Sequence, residues 1–572
     1  MALKHRSALI LVLFLLALGV RFLTWQDNRR DISKVQTSVT DGYKDSARQL
    51  ASGDLKLFAS DINHMGHPPG YPILLAAIFK TFGDSNTAIQ FIQILFDAVA
   101  VVLIFLIALE LLPLTAAMLC GLLAAISPQF AYFTVALLPD SLVVPPILLA
   151  VYLLVRGRKK PSLLNFAFAG ALIGVSCWLR ANALLLPFFL AILTPLFVQR
   201  GKRLHTAAAL VGGALLAIAP ITIKNAIVFR SFIPLSLGAG QTFLEGIADY
   251  DEKKRFNIPN TDLGIMRQEA EWFANPEYAE LLFGRDGVER DRMRIRRGLG
   301  VVGSHPFWFA GVVARRGVAS TRLDPVPVLN PESPVSYDIP SFAANEQWLR
   351  LKGDRSKYSN LHLSEALTVK PNTDYAFQLP LKLESGRVQI KITDHEQKRV
   401  LASTGVDLVE GVPADEQPSL NLAVLFSSTG HTQVRSSIAN FAAEESVVLV
   451  GTGRLVELGP SSYQWLRYVR QPLGFLQRFF KTAWVLPFAV IGLILMMRKR
   501  DWQSLVILLA VPAYYLVVQS TLHTERRYVY IIHFFFLVLV SEALWKIATS
   551  GYAFAAGFFA THKPETPKGR FV

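Results

Sequence analysis

The sequence predicts a polytopic α-helical membrane protein with about ten or more transmembrane helices and an inserted extracytoplasmic β-sandwich domain. Three observations lead there. First, 52% of the 572 residues are hydrophobic and 18% are charged, against about a quarter charged in a soluble domain. Second, apolar runs recur near the roughly 20 residues a helix needs to cross the hydrocarbon core. Third, basic residues collect in alternate loops between those runs, the pattern of the positive-inside bias. So apolar a chain is not disordered. Its two cysteines, Cys120 and Cys177, lie inside apolar runs; they exclude a disulfide scaffold and read as small buried hydrophobes. No Cys/His spacing points to zinc or an iron–sulfur cluster. The net charge of +15 suits basic loops facing anionic lipid head groups and calls for no nucleic acid.

The first expected span is 7–25, after Lys4-His5-Arg6. Its length, the enclosed Arg21 and the lack of a following small-x-small site favour an uncleaved signal-anchor over a cleaved leader. Further spans are expected at 88–112, 115–135, 141–155, 163–178, 183–198, 206–229, 479–497, 502–520 and 528–545; the apolar stretch 552–560 is too short to cross alone. With the N-terminus inside, four basic clusters fall on the cytoplasmic face: 156–160, 200–203, 498–500, and the tail with Lys563, Lys568 and Arg570. Segments 26–87 and 230–478 then face outward. The expected domains are an N-terminal transmembrane bundle (1–229) carrying the outer loop 26–87, an outer loop with interfacial helices (230–334), a β-sandwich (335–460), C-terminal transmembrane helices (461–548) and a cytoplasmic tail (549–572).

In the first outer loop, Tyr43, Ala47 and Leu50 share one face of a short helix, and Pro72 opens a second through 73–82. Both are too short to span and are expected along the membrane surface. The Arg-rich, apolar-interleaved stretch 277–320 reads as one or two interfacial helices. From 335 to 460 the pattern changes to short alternating runs, such as 375–383, 388–392, 446–450 and 454–458, separated by turns at Pro371-Asn372 and Ser385-Gly386. Such spacing predicts a jelly-roll-like sandwich. Whether it binds sugar or only braces the bundle stays open, because fold alone does not fix function.

Ionisable residues at span ends are costly and need a reason. Asp140 opens the fourth span, Arg180 ends the fifth, Lys224 lies near the outer end of the seventh, and Glu525-Arg526-Arg527 opens the tenth. Asp41, Tyr43, His64 and His67 sit in the outer loop at the same level. Snorkelling explains any single cation, but not the acids among them. Asp97, mid-span, reads instead as an interhelical hydrogen-bond partner, and Glu110 falls near the inner surface. A carboxylate at a membrane face can take a proton from a hydroxyl. Neighbouring cations can hold a phosphate and its leaving charge, and grooves between helices can house an isoprenoid tail. No nucleotide-phosphate loop appears, which disfavours a nucleotide-sugar donor.

Several stretches carry a family resemblance: Asp41-Gly42-Tyr43; His67-Pro68-Pro69-Gly70-Tyr71-Pro72; Ala219-Pro220 with Lys224-Asn225 and the run 234–240; Ser304-His305-Pro306-Phe307; and Glu525-Arg526-Arg527-Tyr528. In order and sidedness they resemble the GT-C membrane glycosyltransferases, in the bacterial branch related to protein O-mannosyltransferases and lipid A aminoarabinose transferases, over about 1–320 and 480–548. The resemblance implies an inverting transfer of sugar from a polyprenyl-phosphate donor to a hydroxyl acceptor on protein, lipid or glycan, at the outer face of a bacterial plasma membrane. It makes Asp41 the catalytic residue, as the base that acts on the acceptor or the group that orients it. It makes His67, Arg180, Arg526 and Arg527 phosphate contacts, with Tyr43, His64, Asp140, Lys224, Asn225 and Glu525 as further binding residues. Where the family often has Asp-Glu, this sequence has Asp41-Gly42, so no paired-acid role is carried over; no cofactor is required and a divalent metal is left open. The β-rich insert receives nothing from the resemblance. Two rivals remain. A transporter or flippase predicts inverted repeats and midplane charges, neither of which is seen; the other is a noncatalytic assembly protein displaying its sandwich.

Overall fold

The computed structural model describes residues 3–28, 35–55, 60–159, 162–323, 325–329, 348–354, 356, 358–408, 417–441, 445–461 and 465–561. The chain divides into two compact units: Met1–Trp25, Asp31–Pro327 and Gln477–Val572 form the first, Gln26–Arg30 and Val328–Leu476 the second.

The first unit is helical. In chain order it contains α1 (Leu3–Asn28), α2 (Ser38–Ser52), α3 (Gly70–Phe82), α4 (Asn86–Leu111), α5 (Leu114–Ile126), α6 (Pro128–Val135), α7 (Asp140–Lys159), α8 (Leu163–Leu179), α9 (Leu186–Phe197) and α10 (Arg203–Phe229). There follow α11 (Ala239–Ala248), α12 (Asp262–Phe273), α13 (Gly287–Ser304) and α14 (Pro306–Ser320). After the second unit come α15 (Thr482–Arg498), α16 (Trp502–Val518), α17 (Arg526–Val529) and α18 (Ile531–Thr561).

Among the described residues, six helices are long and apolar enough to cross a membrane, or up to eight if each of two bent helix pairs is one span. The expected count of about ten is higher because it includes 163–178 and 183–198. These fold as α8, of 17 residues, and α9, of 12 with Pro195 inside, short of the ~20 that span hydrocarbon. The expected span 115–135 breaks between α5 and α6 with a 44° bend. The cause is local: Pro128 has no N–H to continue the ladder and starts a new helix instead.

Helices approach closely where glycine lets them. Gly170 lies against the Leu210 carbonyl and Gly213 against that of Ala167, so a Cβ at either would stand 1.9 Å from backbone oxygen. Here α8 and α10 meet backbone to backbone, as small residues allow between membrane helices. Asp97 takes the expected interhelical role: its Oδ2 accepts from Arg21 Nε at 2.7 Å, and Arg21 also donates to the Ala124 carbonyl at 3.2 Å. Both side chains are fully buried, so each charge compensates the other's lost hydration.

One end of this unit gathers basic loops. Arg158 pairs with Asp501, Arg156 lies 3.8 Å from Glu110, and Lys499 pairs with Glu542 at 2.8 Å. Asp140 opens the same α7 that ends in Arg156–Lys159; 1.5 Å per residue puts it ~28 Å from Arg158. Lys160 and the tail residues Lys563, Lys568 and Arg570 lie outside the described residues, as does the start of the expected sandwich, 335–347. The surface helices predicted in the first outer loop form as α2 and α3, and the Arg-rich stretch forms α13 and α14.

Among the described residues the second unit, apart from an exposed-faced helix at Leu466–Gln477, is built of ten strands in two five-stranded sheets. They are β1 (Leu349–Lys352), β2 (Asn360–Leu363), β3 (Leu367–Thr368), β4 (Thr373–Ser385), β5 (Val388–Asp394), β6 (Val400–Val406), β7 (Leu420–Ser427), β8 (Gln433–Asn440), β9 (Val447–Val450) and β10 (Arg454–Pro460). One sheet runs β1-β9-β4-β10 with β7 also on β4; the other runs β2-β8-β5-β6 with β3 on β8. All pairs are antiparallel, in registers such as Leu381↔Val450 and Ile390↔Ile438. Phe377, Leu381 and Phe426 from the first sheet share one apolar core with Ile390, Leu401 and Ile438 from the second. The predicted turns hold: Asn372 and Gly386 both take positive φ, at 53° and 74°.

Candidate functional site

The site grows from the start of α2. Thr37 caps this helix, with its N–H bonded to Thr40 Oγ1 at 3.0 Å. Thr40 in turn donates to the Leu137 carbonyl, and Leu137 N–H bonds the Val35 carbonyl at 2.8 Å. These bonds tie α2 to the entrance of α7. Tyr43 is thereby buried, with its ring centroid 4.8 Å from His67 and 5.0 Å edge-on from Tyr71.

His67 is placed by the turn Pro68-Pro69-Gly70. Pro69 caps α3 with φ −77° and ψ −10°, already in the helical region, and Gly70 sits against the end of α8: a Cβ there would stand 2.5 Å from the Trp178 carbonyl oxygen. This close approach brings His67 beside Arg180, which follows α8. Arg180 Nη1 meets Asp140 Oδ1 at 2.7 Å, and its guanidinium lies 4.0 Å above the Tyr528 ring. Asp140 Oδ2 is buried without a hydrogen-bond partner among the described residues. Arg527 Nη2 donates to Glu525 Oε1 at 2.6 Å, Tyr528 donates to the same oxygen at 2.9 Å, and Arg527 Nε is buried with its N–H unused. Tyr530 hydroxyl anchors this corner by donating to the Asp140 carbonyl at 3.0 Å.

The electrostatics follow from crowding and charge. Crowding of the ring by surrounding protein, then the cations of Arg180 and Arg527, push the His67 imidazole down to about 4, so it is neutral at pH 7, although the residue as a whole is exposed. Burial raises the Tyr43 phenol. Burial pushes the Glu525 carboxyl up, but the charge and hydrogen bond of Arg527 outweigh this and hold it below the usual carboxylate value. The result is two guanidinium groups, each balanced by one acid, around a neutral imidazole.

An apolar groove of about 530 Å3 lies alongside, lined by Leu50, Pro69, Ile73, Trp178 and Pro220, with Lys224 at its edge. Pro69 and Trp178 are each two residues from a member of the cluster. Among the described residues no group of three or more His, Cys, Asp or Glu is placed to hold a metal ion.

Of the sequence candidates, the structure brings Tyr43, His67, Asp140, Arg180, Glu525 and Arg527 together. Asp41 is exposed on the first turn of α2, two residues from Tyr43. Arg526 is exposed, and the charges acting on His67 come from Arg180 and Arg527. His64 lies apart: Nδ1 pairs with Ser46 Oγ at 2.9 Å and Nε2 with Gln49 Oε1 at 2.7 Å, which fastens the loop to α2. Asn225 is turned to the Ile233 and Leu235 carbonyls at 3.0 and 3.1 Å. His305 packs against Phe256 instead. Sequence reasoning did not single out Tyr528 or Trp178 as site residues; the run Arg526-Arg527-Tyr528 held the only signal for the first.

Residues 66–224 match the family model of dolichyl-phosphate-mannose-protein mannosyltransferases. The segment contains His67, Asp140, Arg180 and Lys224. A solved structure, that of ArnT from Cupriavidus metallidurans bound to undecaprenyl phosphate, is similar at 15% identity over 57% of this chain and 68% of that one, with a TM-score of 0.32. So loose a superposition transfers no detail. No curated protein matches the chain.

Proposed function

We propose that this chain is a membrane glycosyltransferase that moves a sugar from a polyprenyl-phosphate carrier to a hydroxyl acceptor, with inversion. The observation that carries the reading is the pairing of two unlike surfaces. Arg180 and Arg527 converge on His67, and an apolar groove edged by Lys224 runs beside them, within and next to the family-matched segment. A lipid phosphate presents the same two chemistries.

In the proposed step the acceptor oxygen attacks the anomeric carbon as the bond to the phosphate oxygen breaks. The electron pair leaves with the polyprenyl phosphate, whose growing charge Arg180 and Arg527 stabilise. The acceptor proton passes to a carboxylate. Asp41, exposed on the first turn of α2, is the proposed base; buried Asp140 holds Arg180 in place. Neutral His67 offers a hydrogen bond and no permanent charge. The positive-inside bias supports the basic end of the helical unit as its cytoplasmic side, and the proposed location of the cluster is extracytoplasmic, at the plasma membrane of a bacterium. The two-sheet unit, read as a sandwich, is likewise proposed to be extracytoplasmic.

Transfer from polyprenyl-phosphate mannose and polyprenyl-phosphate aminoarabinose to the envelope acceptors of the same cells tests the reading, with Asp41→Asn as the variant. A normally inserted Asp41→Asn protein is expected to lose transfer; unchanged transfer removes Asp41 from the mechanism. A flippase would instead move label across the bilayer with no glycosidic product.

A further inference from the structure

A second cavity, of about 430 Å3, opens between the two sheets of the second unit, a size at the small end of ligand pockets (~300–1,000 Å3). It has a local cause. The period of two puts Val434, Ser436 and Ile438 of β8 on the core face, and all three are buried. Ser436 is short where its neighbours are branched, so volume is missing between the sheets. Gly451 and Gly453, in the β9–β10 connection, add no side chain to fill it.

The polar groups around this gap are unspent. Ser436 gives its backbone N–H to Ser364 Oγ at 2.9 Å. The Ser436 hydroxyl, the His362 ring and the Thr452 hydroxyl make no hydrogen bond among the described residues. Phe377 and Trp348 add aromatic surface, and among the described residues no Asp, Glu, Lys or Arg lines the cavity. Among the described residues a charged ligand would find no counter-ion, and a purely apolar one would cover the Ser436 hydroxyl and leave it without a partner. The chemistry that fits both is a flat apolar face edged with neutral hydroxyls.

From this lining we infer that the β-unit binds a neutral saccharide, one or two rings in size, in the cavity between Ser436, His362 and Trp348. The inference does not rest on the transferase reading and concerns a separate site.

The test uses the full-length protein in lipid nanodiscs and saturation-transfer NMR with mannobiose, cellobiose, chitobiose and glucuronic acid as probes. At least one neutral disaccharide is expected to take up saturation while glucuronic acid does not. Ser436→Val, which fills the gap with apolar volume of similar shape and should fold, abolishes the signal. His362→Ala weakens binding by about tenfold, a ~1.4 kcal/mol change. Arg180→Lys, expected to fold and to lose most transfer, keeps binding, which separates this site from the proposed donor site. The proposal is overturned if no neutral probe binds the folded parent, if binding survives Ser436→Val, if glucuronic acid binds equally well, or if Arg180→Lys abolishes binding.

Discussion

Arg180 performs two tasks at once, and they separate by substitution. Its charge compensates Asp140, which is nearly fully buried, and its flat face lies on Tyr528. Arg180→Lys keeps the first and loses most of the second, since an ammonium neither stacks nor forks. It should fold with a small drop in thermal midpoint and a large drop in transfer. Arg180→Ala leaves a buried carboxylate unpaired and should cost about 3–5 kcal/mol in stability, measured by denaturation in detergent. His67 makes a pH prediction. Its imidazole is held down to about 4 by the crowding protein and the two guanidinium groups, whereas an unfolded His titrates near ~6.5. The unfolded chain therefore binds more protons between those values, and the stability tied to His67 is present above ~6.5 and lost as pH falls towards 4. A His67→Gln variant should show a shallower fall in thermal midpoint from pH 7 to pH 4 than the parent. An identical slope would mean that folding leaves the His67 pKa at its unfolded value.

At the scale of elements, the site depends on how closely α3 can approach the end of α8. Gly70→Ala would drive a Cβ into the backbone oxygen of Trp178, which cannot rotate away as a side chain would. A destabilisation of about 1–3 kcal/mol is expected, with transfer falling alongside because His67 and Pro69 ride on the same turn. Gly42→Ala, with open space around its Cβ, is the control and should be near neutral. This also marks how far the sequence can be read. Asp140, Arg180, Glu525 and Arg527 were legible because a charge at a span end is expensive wherever it falls. The short helices of the outer loop were legible from periodicity and proline. The partner of Arg180 was not: Tyr528 is one aromatic residue among many, and only tertiary packing puts its ring below that guanidinium. His64 and Asn225 misled for the converse reason, since a polar side chain near a site serves equally well to fasten its own loop. The expected count of about ten spans differs from the six to eight long apolar helices among the described residues because hydropathy records apolar length and not the proline breaks and 3-10 turns that shorten a helix.

For the whole molecule, the proposed topology puts the basic loops and the Arg180–Arg527 cluster on opposite sides of the bilayer, ~28 Å apart along α7. Cys120 and Cys177 are buried, so the background for thiol labelling is low. A cysteine at exposed Asp45 should react with an impermeant maleimide in intact cells, and one at Arg156 only after lysis; the reverse pattern would invert the topology. The most direct measurement of the central claim is transfer of labelled sugar from a polyprenyl-phosphate donor by reconstituted protein, with Arg527→Ala beside the parent. The parent should form a glycosidic product, and Arg527→Ala, folded to the same thermal midpoint within a few degrees, should be slower by about 10²–10³, the scale of losing one stabiliser of developing charge. Equal rates in the two proteins would contradict the account.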